Sequence, residues 1–103
     1  MFQNNQNELK FASVIVLYDP ADDIYLKSLR SLKSLDIKSF IFDNSESKDI
    51  RKKNKETIES EFNKVTIFSS EDGNIGISKA YNTVIDNILK KDELDGLFLF
   101  DQD

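Results

Sequence analysis

The chain has no cysteine and no histidine, and only one proline and three glycines among its 103 residues. Without cysteine there is no disulfide, no thiolate metal site and no cysteine nucleophile, which fits a reducing compartment. Without histidine the commonest general base is missing too. So little glycine and proline excludes collagen-like and low-complexity chains. No apolar run approaches the ~20 residues a membrane span needs. The opening residues, Met1-Phe2-Gln3-Asn4-Asn5-Gln6-Asn7, have neither the basic region nor the apolar stretch of a signal peptide.

What remains is enough for one small core. Hydrophobic residues make up 39% of the chain and eight of them are Phe, so a single domain is expected. Residues 1–10 are polar and read as a flexible tail, leaving 11–103 as the folded unit. The net charge of −5 argues against a nucleic-acid partner, because no basic face offsets it. The local cluster Arg51-Lys52-Lys53-Asn54-Lys55 reads as one solvated helix face.

Four apolar segments alternate with three amphipathic ones. Residues 11–18 (FASVIVLY) form a first strand that is apolar on both faces, as in a parallel sheet covered on both sides. A helix is expected to start at Asp19-Pro20, with Asp19 as cap, Pro20 in the first turn, and Asp22 and Asp23 complementing the dipole. Its buried stripe is Tyr25, Leu29, Leu32 and Leu35. Residues 37–42 form the second strand. A charged helix follows over about 48–62, with Ile50, Ile58 and Phe62 as a thin stripe. Residues 65–68 are the third strand. The next helix has the clearest period: Ile77, Ala80, Tyr81, Val84, Ile85, Ile88 and Leu89. Residues 97–100 read as a fully buried fourth strand. This order predicts an α/β fold, a Rossmann-like three-layer parallel sheet with right-handed crossovers and strand order 3-2-1-4. The topological switch then falls between strands one and four, where open α/β sheets bind ligands.

Acidic groups collect at that switch. Asp101 and Asp103 are two apart at a strand end and face the same way, while Gln102 turns aside. Two such carboxylates suit a hard cation, Mg²⁺ or Mn²⁺, which in turn can hold a diphosphate. Taken singly, each motif also has a plain structural reading. Asp19 suits a helix cap, and Asp43-Asn44-Ser45 suits a turn. The loop Ser70-Glu71-Asp72-Gly73-Asn74-Ile75-Gly76 suits either a tight turn or a backbone cradle for an anion at a helix start. Asn82 stands out as an amide on the apolar side of its helix, where a buried amide needs a defined partner.

Together the motifs resemble the nucleotide-binding half of family 2 inverting glycosyltransferases of the GT-A type, especially rhamnosyltransferase-like members. The resemblance is carried by Val14-Ile15-Val16-Leu17-Tyr18-Asp19-Pro20 at the first strand exit and by Phe40-Ile41-Phe42-Asp43-Asn44-Ser45 at the second. Asn74-Ile75-Gly76-Ile77-Ser78-Lys79-Ala80-Tyr81-Asn82 matches the pattern Asn-x-Gly-x-x-x-Ala-x-Asn. Leu97-Phe98-Leu99-Phe100-Asp101-Gln102-Asp103 is similar to the metal-binding signature.

The resemblance implies a nucleoside-diphosphate sugar lying across the strand ends. Tyr18, Asp19, Asp43, Asn74, Gly76, Asn82 and Asp101 are its candidate contacts. Asp19 and Asp43 would flank base and ribose, Asp103 would hold the metal, and Asp101 would support the ribose or the metal's water shell. The donor sugar leans to rhamnose, the acceptor would be a glycan, and the setting would be the cytoplasm, at the inner face of the membrane. In this family the general base and acceptor pocket come from a C-terminal half that these residues do not include. The chain is therefore expected to be a truncated portion that does not catalyse transfer alone. An uncovered sheet edge or face predicts homo-oligomers. Two other readings stand beside this one: a receiver-like signalling domain with an acidic Mg²⁺ pocket, and a non-catalytic binding or assembly module.

Overall fold

The computed structural model describes residues 9–21, 24–91 and 94–101, with Asp101 described by its backbone only. Four strands and three helices alternate: β1 (Phe11–Leu17), α1 (Ile24–Ser34), β2 (Lys38–Asp43), α2 (Lys48–Glu61), β3 (Thr66–Ser69), α3 (Ile77–Lys91) and β4 (Gly96–Asp101). All strand pairings are parallel, and the sheet order is β3-β2-β1-β4, the order expected from the alternation of elements. The expected α/β class with a parallel sheet is the observed one.

The apolar alternation of β1 and β2 divides between two cores. Ile15, Leu17 and Ile41 pack against Tyr25, Leu26, Leu29 and Leu32 of α1 and against Ile58 and Phe62 at α2. Ala12, Val14, Val16, Phe40 and Phe42 pack on the other face against Ala80, Val84 and Ile88 of α3. Right-handed crossovers require this split, because the chain moves outward through β2 and β3 and then returns past β1 to β4. The hydroxyls of Ser13 and Ser39 are buried between β1 and β2 but satisfy each other at 2.9 Å.

Several local expectations are corrected. Pro20 lies outside α1, and Asp19 adopts a positive φ of 37° in the loop before it rather than capping it. Asp22 and Asp23 lie outside the described residues. Leu35 is 68% exposed and Leu26 takes its place in the core. The reason is that α1 stops at Ser34: Asp36 turns to φ 59° and the Ile37 amide returns to the Leu32 carbonyl at 2.9 Å, a left-handed helix stop.

The fourth strand is not fully buried, since Phe98 is 42% and Leu99 55% exposed. Among the described residues it pairs on one side only, and α3 packs mainly over β1 and β2. Finally, Asn82 is exposed on α3. The buried stripe is the narrow series Ala80, Val84 and Ile88, and Ile77 and Leu89 at its margins are exposed as well.

Candidate functional site

The carboxyl ends of the strands converge on one rim. Leu17 at the end of β1 is in register with Asp43 of β2 on one side, and Val16 is in register with Asp101 of β4 on the other. The exit of the first strand and the start of the Asp101-Gln102-Asp103 motif therefore share a rim, at the switch between β1 and β4. Gln102 and Asp103 lie outside the described residues, so the expected metal pair is represented by the backbone of Asp101. Among the described residues no cluster of three or more acidic side chains forms a metal site.

The loop after β2 organises this rim. Asp43 is only 2% exposed. Its Oδ1 accepts from the Ser45 amide at 3.0 Å and its Oδ2 from the Asn54 side chain of α2 at 2.9 Å. Both oxygens are engaged, so the carboxylate holds the loop. Asn44 and Ser45 are buried beside it. The Asn44 amide continues the β1 ladder by donating to the Leu17 carbonyl at 2.7 Å. Its side-chain oxygen accepts from the Ile75 amide at 2.8 Å, which ties in the loop after β3.

The loop after β1 is held from the same place. The Asp19 amide donates to the Ser45 hydroxyl at 2.8 Å, and Oδ1 of Asp19 accepts from the Glu46 amide at 3.3 Å. This exchange sustains the positive φ of Asp19, an uncommon conformation for a residue with a side chain. Arg51 donates through Nη1 to the carbonyls of Ser45 and Glu46 at 2.8 and 2.9 Å. Far from being only a solvated charge, Arg51 clamps the loop to the first turn of α2, whose cap is the Ser47 hydroxyl accepting from Asp49 and Ile50.

The two glycines of the loop after β3 do different things. Gly73, at φ 80°, is buried under Glu46, where a Cβ would come within 2.9 Å of the Glu46 carbonyl. Gly76, at φ 88°, has nothing within 4 Å of its missing Cβ. It opens α3 beside free space, and its amide is held by the Asn74 side chain at 2.8 Å. Among the described residues the amides of Ile77, Ser78 and Lys79 have no acceptor, as is usual for a first helical turn. On the far side Tyr81 donates its hydroxyl to the Phe100 carbonyl at 2.9 Å, joining α3 to the end of β4.

The structure thus gathers Tyr18, Asp19, Gly76 and the end of β4 along the strand-end rim, with Asn74 bracing the glycine loop. It removes Asp43 into the interior and leaves Asn82 on the outer surface of α3. The residues not anticipated are Asn54, Arg51 and Ser45. Asn54 was readable in principle: it stands four residues after Ile50 and four before Ile58, a polar side chain at a core position. Comparison with protein-family models, curated proteins and solved structures gives no match.

Proposed function

We propose that this chain binds a nucleoside-diphosphate sugar at the carboxyl rim of its sheet and is the nucleotide-binding part of a metal-assisted inverting glycosyltransferase acting on a glycan. The observation that carries the reading is the register of β4 beside β1. It brings Asp101 opposite Val16, within a few residues of Tyr18 and Asp19, at the switch point where α/β sheets take ligands.

The parts divide by position. Tyr18 and Asp19 border the nucleoside end, with Asp19 oriented by Ser45 and Glu46. Asp43 supports this indirectly, by fixing Ser45. The opening at Gly76 and the amides of the first turn of α3 suit an anionic group. At the end of β4 the donor chemistry fits a hard cation, since two carboxylates two residues apart are the oxygen ligands that Mg²⁺ or Mn²⁺ takes. A cation held by Asp101 and Asp103 would neutralise the departing diphosphate. No residue of the chain is assigned as the base that deprotonates the acceptor.

The receiver-like reading loses support from the strand order, because such doubly wound folds run 2-1-3-4-5 and here β3 lies outside β2. Calorimetric titration of uridine and thymidine diphosphates, with and without Mn²⁺, tests the proposal. Binding that requires the metal and disappears in Asp103→Ala is expected. Absence of any metal-dependent binding leaves a non-catalytic module as the better description.

A further inference from the structure

A second cleft lies at the opposite rim, where the strands begin. It has a volume of about 570 Å³ and runs between the carboxyl ends of α1 and α2 and the starts of β2 and β3. Its lining combines Leu29, Ile37, Phe62 and Val65 with Lys33 and Lys64. The apolar members belong to the core or pack against it, so the floor is part of the rigid body of the fold. The size falls in the range of small-ligand sites.

The charge at this cleft is opposite in sign to that of the chain as a whole. The net charge is −5, yet three lysines, Lys33, Lys38 and Lys64, line the cleft against one carboxylate, Asp36. The Lys33 ammonium lies 5.8 Å from the centre of the Phe62 ring, so a cation hangs directly over the apolar floor. Glu61, whose carboxylate also feels Lys33, is already held by Nε and Nη2 of Arg30, at 2.5 and 2.7 Å. Of the three lysines, Lys38 holds its ammonium over the Phe40 ring at 5.1 Å, which leaves Lys33 and Lys64 beside the apolar floor. Nor does the end of α1 oppose an anion strongly, since the carbonyls of Ser31, Leu32 and Lys33 are all paired within the turn.

We propose that this cleft is a binding site for a small amphipathic anion, an apolar chain or ring carrying one carboxylate or phosphate group. The apolar body would lie on Phe62, Leu29 and Val65, with the anionic head between Lys33 and Lys64. The site is separate from the strand-end rim and requires neither metal nor nucleotide.

Titration calorimetry on the full chain in EDTA, with octanoate, octyl phosphate and uncharged octanol as probes, tests it. Either anion is expected to bind about ten-fold more tightly than octanol, and the tighter of the two identifies the head group. Lys33→Glu with Lys64→Glu should weaken the anion about ten-fold, while Lys27→Glu on the exposed part of α1 leaves it unchanged. The milder pair Lys33→Gln and Lys64→Gln serves if charge reversal disturbs folding, which thermal melts monitor. Equal affinity for octanol and the anions, or undiminished binding in the lysine variants, overturns the proposal. Neither result bears on nucleotide binding at the other rim.

Discussion

Asn54 of α2 donates its side-chain amide to the Asp43 carboxylate at the end of β2, 2.9 Å away and out of contact with water. The pair joins the helix to the loop that holds the segments after β1 and β3. A buried carboxylate is tolerated only with donors in place, and Asn54 and the Ser45 amide are those donors.

Removing that donor should be costly. Asn54→Leu preserves bulk but strips Oδ2 of Asp43 of its partner, at an expected cost of about 1–3 kcal/mol. Urea unfolding followed by circular dichroism measures it. An unchanged midpoint would show that the pair does not hold the loop.

The glycine loop predicts two unequal alanine substitutions. Gly73→Ala combines a positive φ with a clash against the Glu46 carbonyl. It should therefore exceed the ~1 kcal/mol ordinarily expected of strain alone. Gly76→Ala meets open space and should cost only the strain, while narrowing the opening at the start of α3. Thermal melts rank the two, and nucleotide titration should be more sensitive to the second than its stability is.

Acid should weaken the link between α1 and α2. The Arg30 guanidinium, hydrogen-bonded to Glu61, holds that carboxyl below its ordinary value of 4.5. A carboxylate with a lowered pKa stabilises the fold above its unfolded value, and the stabilisation is lost as pH falls through the folded value. The difference in stability between the parent and Glu61→Gln should therefore be present at neutral pH and shrink as pH drops below 4.5. Because the pair is exposed to solvent, the difference is small and should also shrink in high salt.

The open side of β4 predicts self-association. Phe98 and Leu99 are exposed on a strand that, among the described residues, is paired on one side only. Phe98 also stacks with Phe11 and Phe100 at 5.5 and 6.2 Å, extending the apolar surface beyond α1. Such edges recruit further strands. Light scattering should show a mass that rises with concentration, and Leu99→Lys should return the chain to monomer without lowering its melting temperature.

The order of elements, the parallel pairing and the rim at which the acidic motifs end were legible in the residues themselves. The continuous apolar runs of β1 and β2 demand cover on both faces, and helices of this period between parallel strands leave few topologies. What the sequence could not disclose was the use of each polar group once the loops met. That Asp43 holds the loop after β2 becomes visible only when Asn54 is brought to it from eleven positions away. Asp19 looks like a helix cap until Ser45 and Glu46 take hold of it. Asn82 and the edge strand looked buried because periodicity records which residues are apolar and not how wide a neighbour covers them. Periodicity acts along the chain, whereas hydrogen-bond partners and cover are set between segments distant in sequence, and only the folded arrangement decides those.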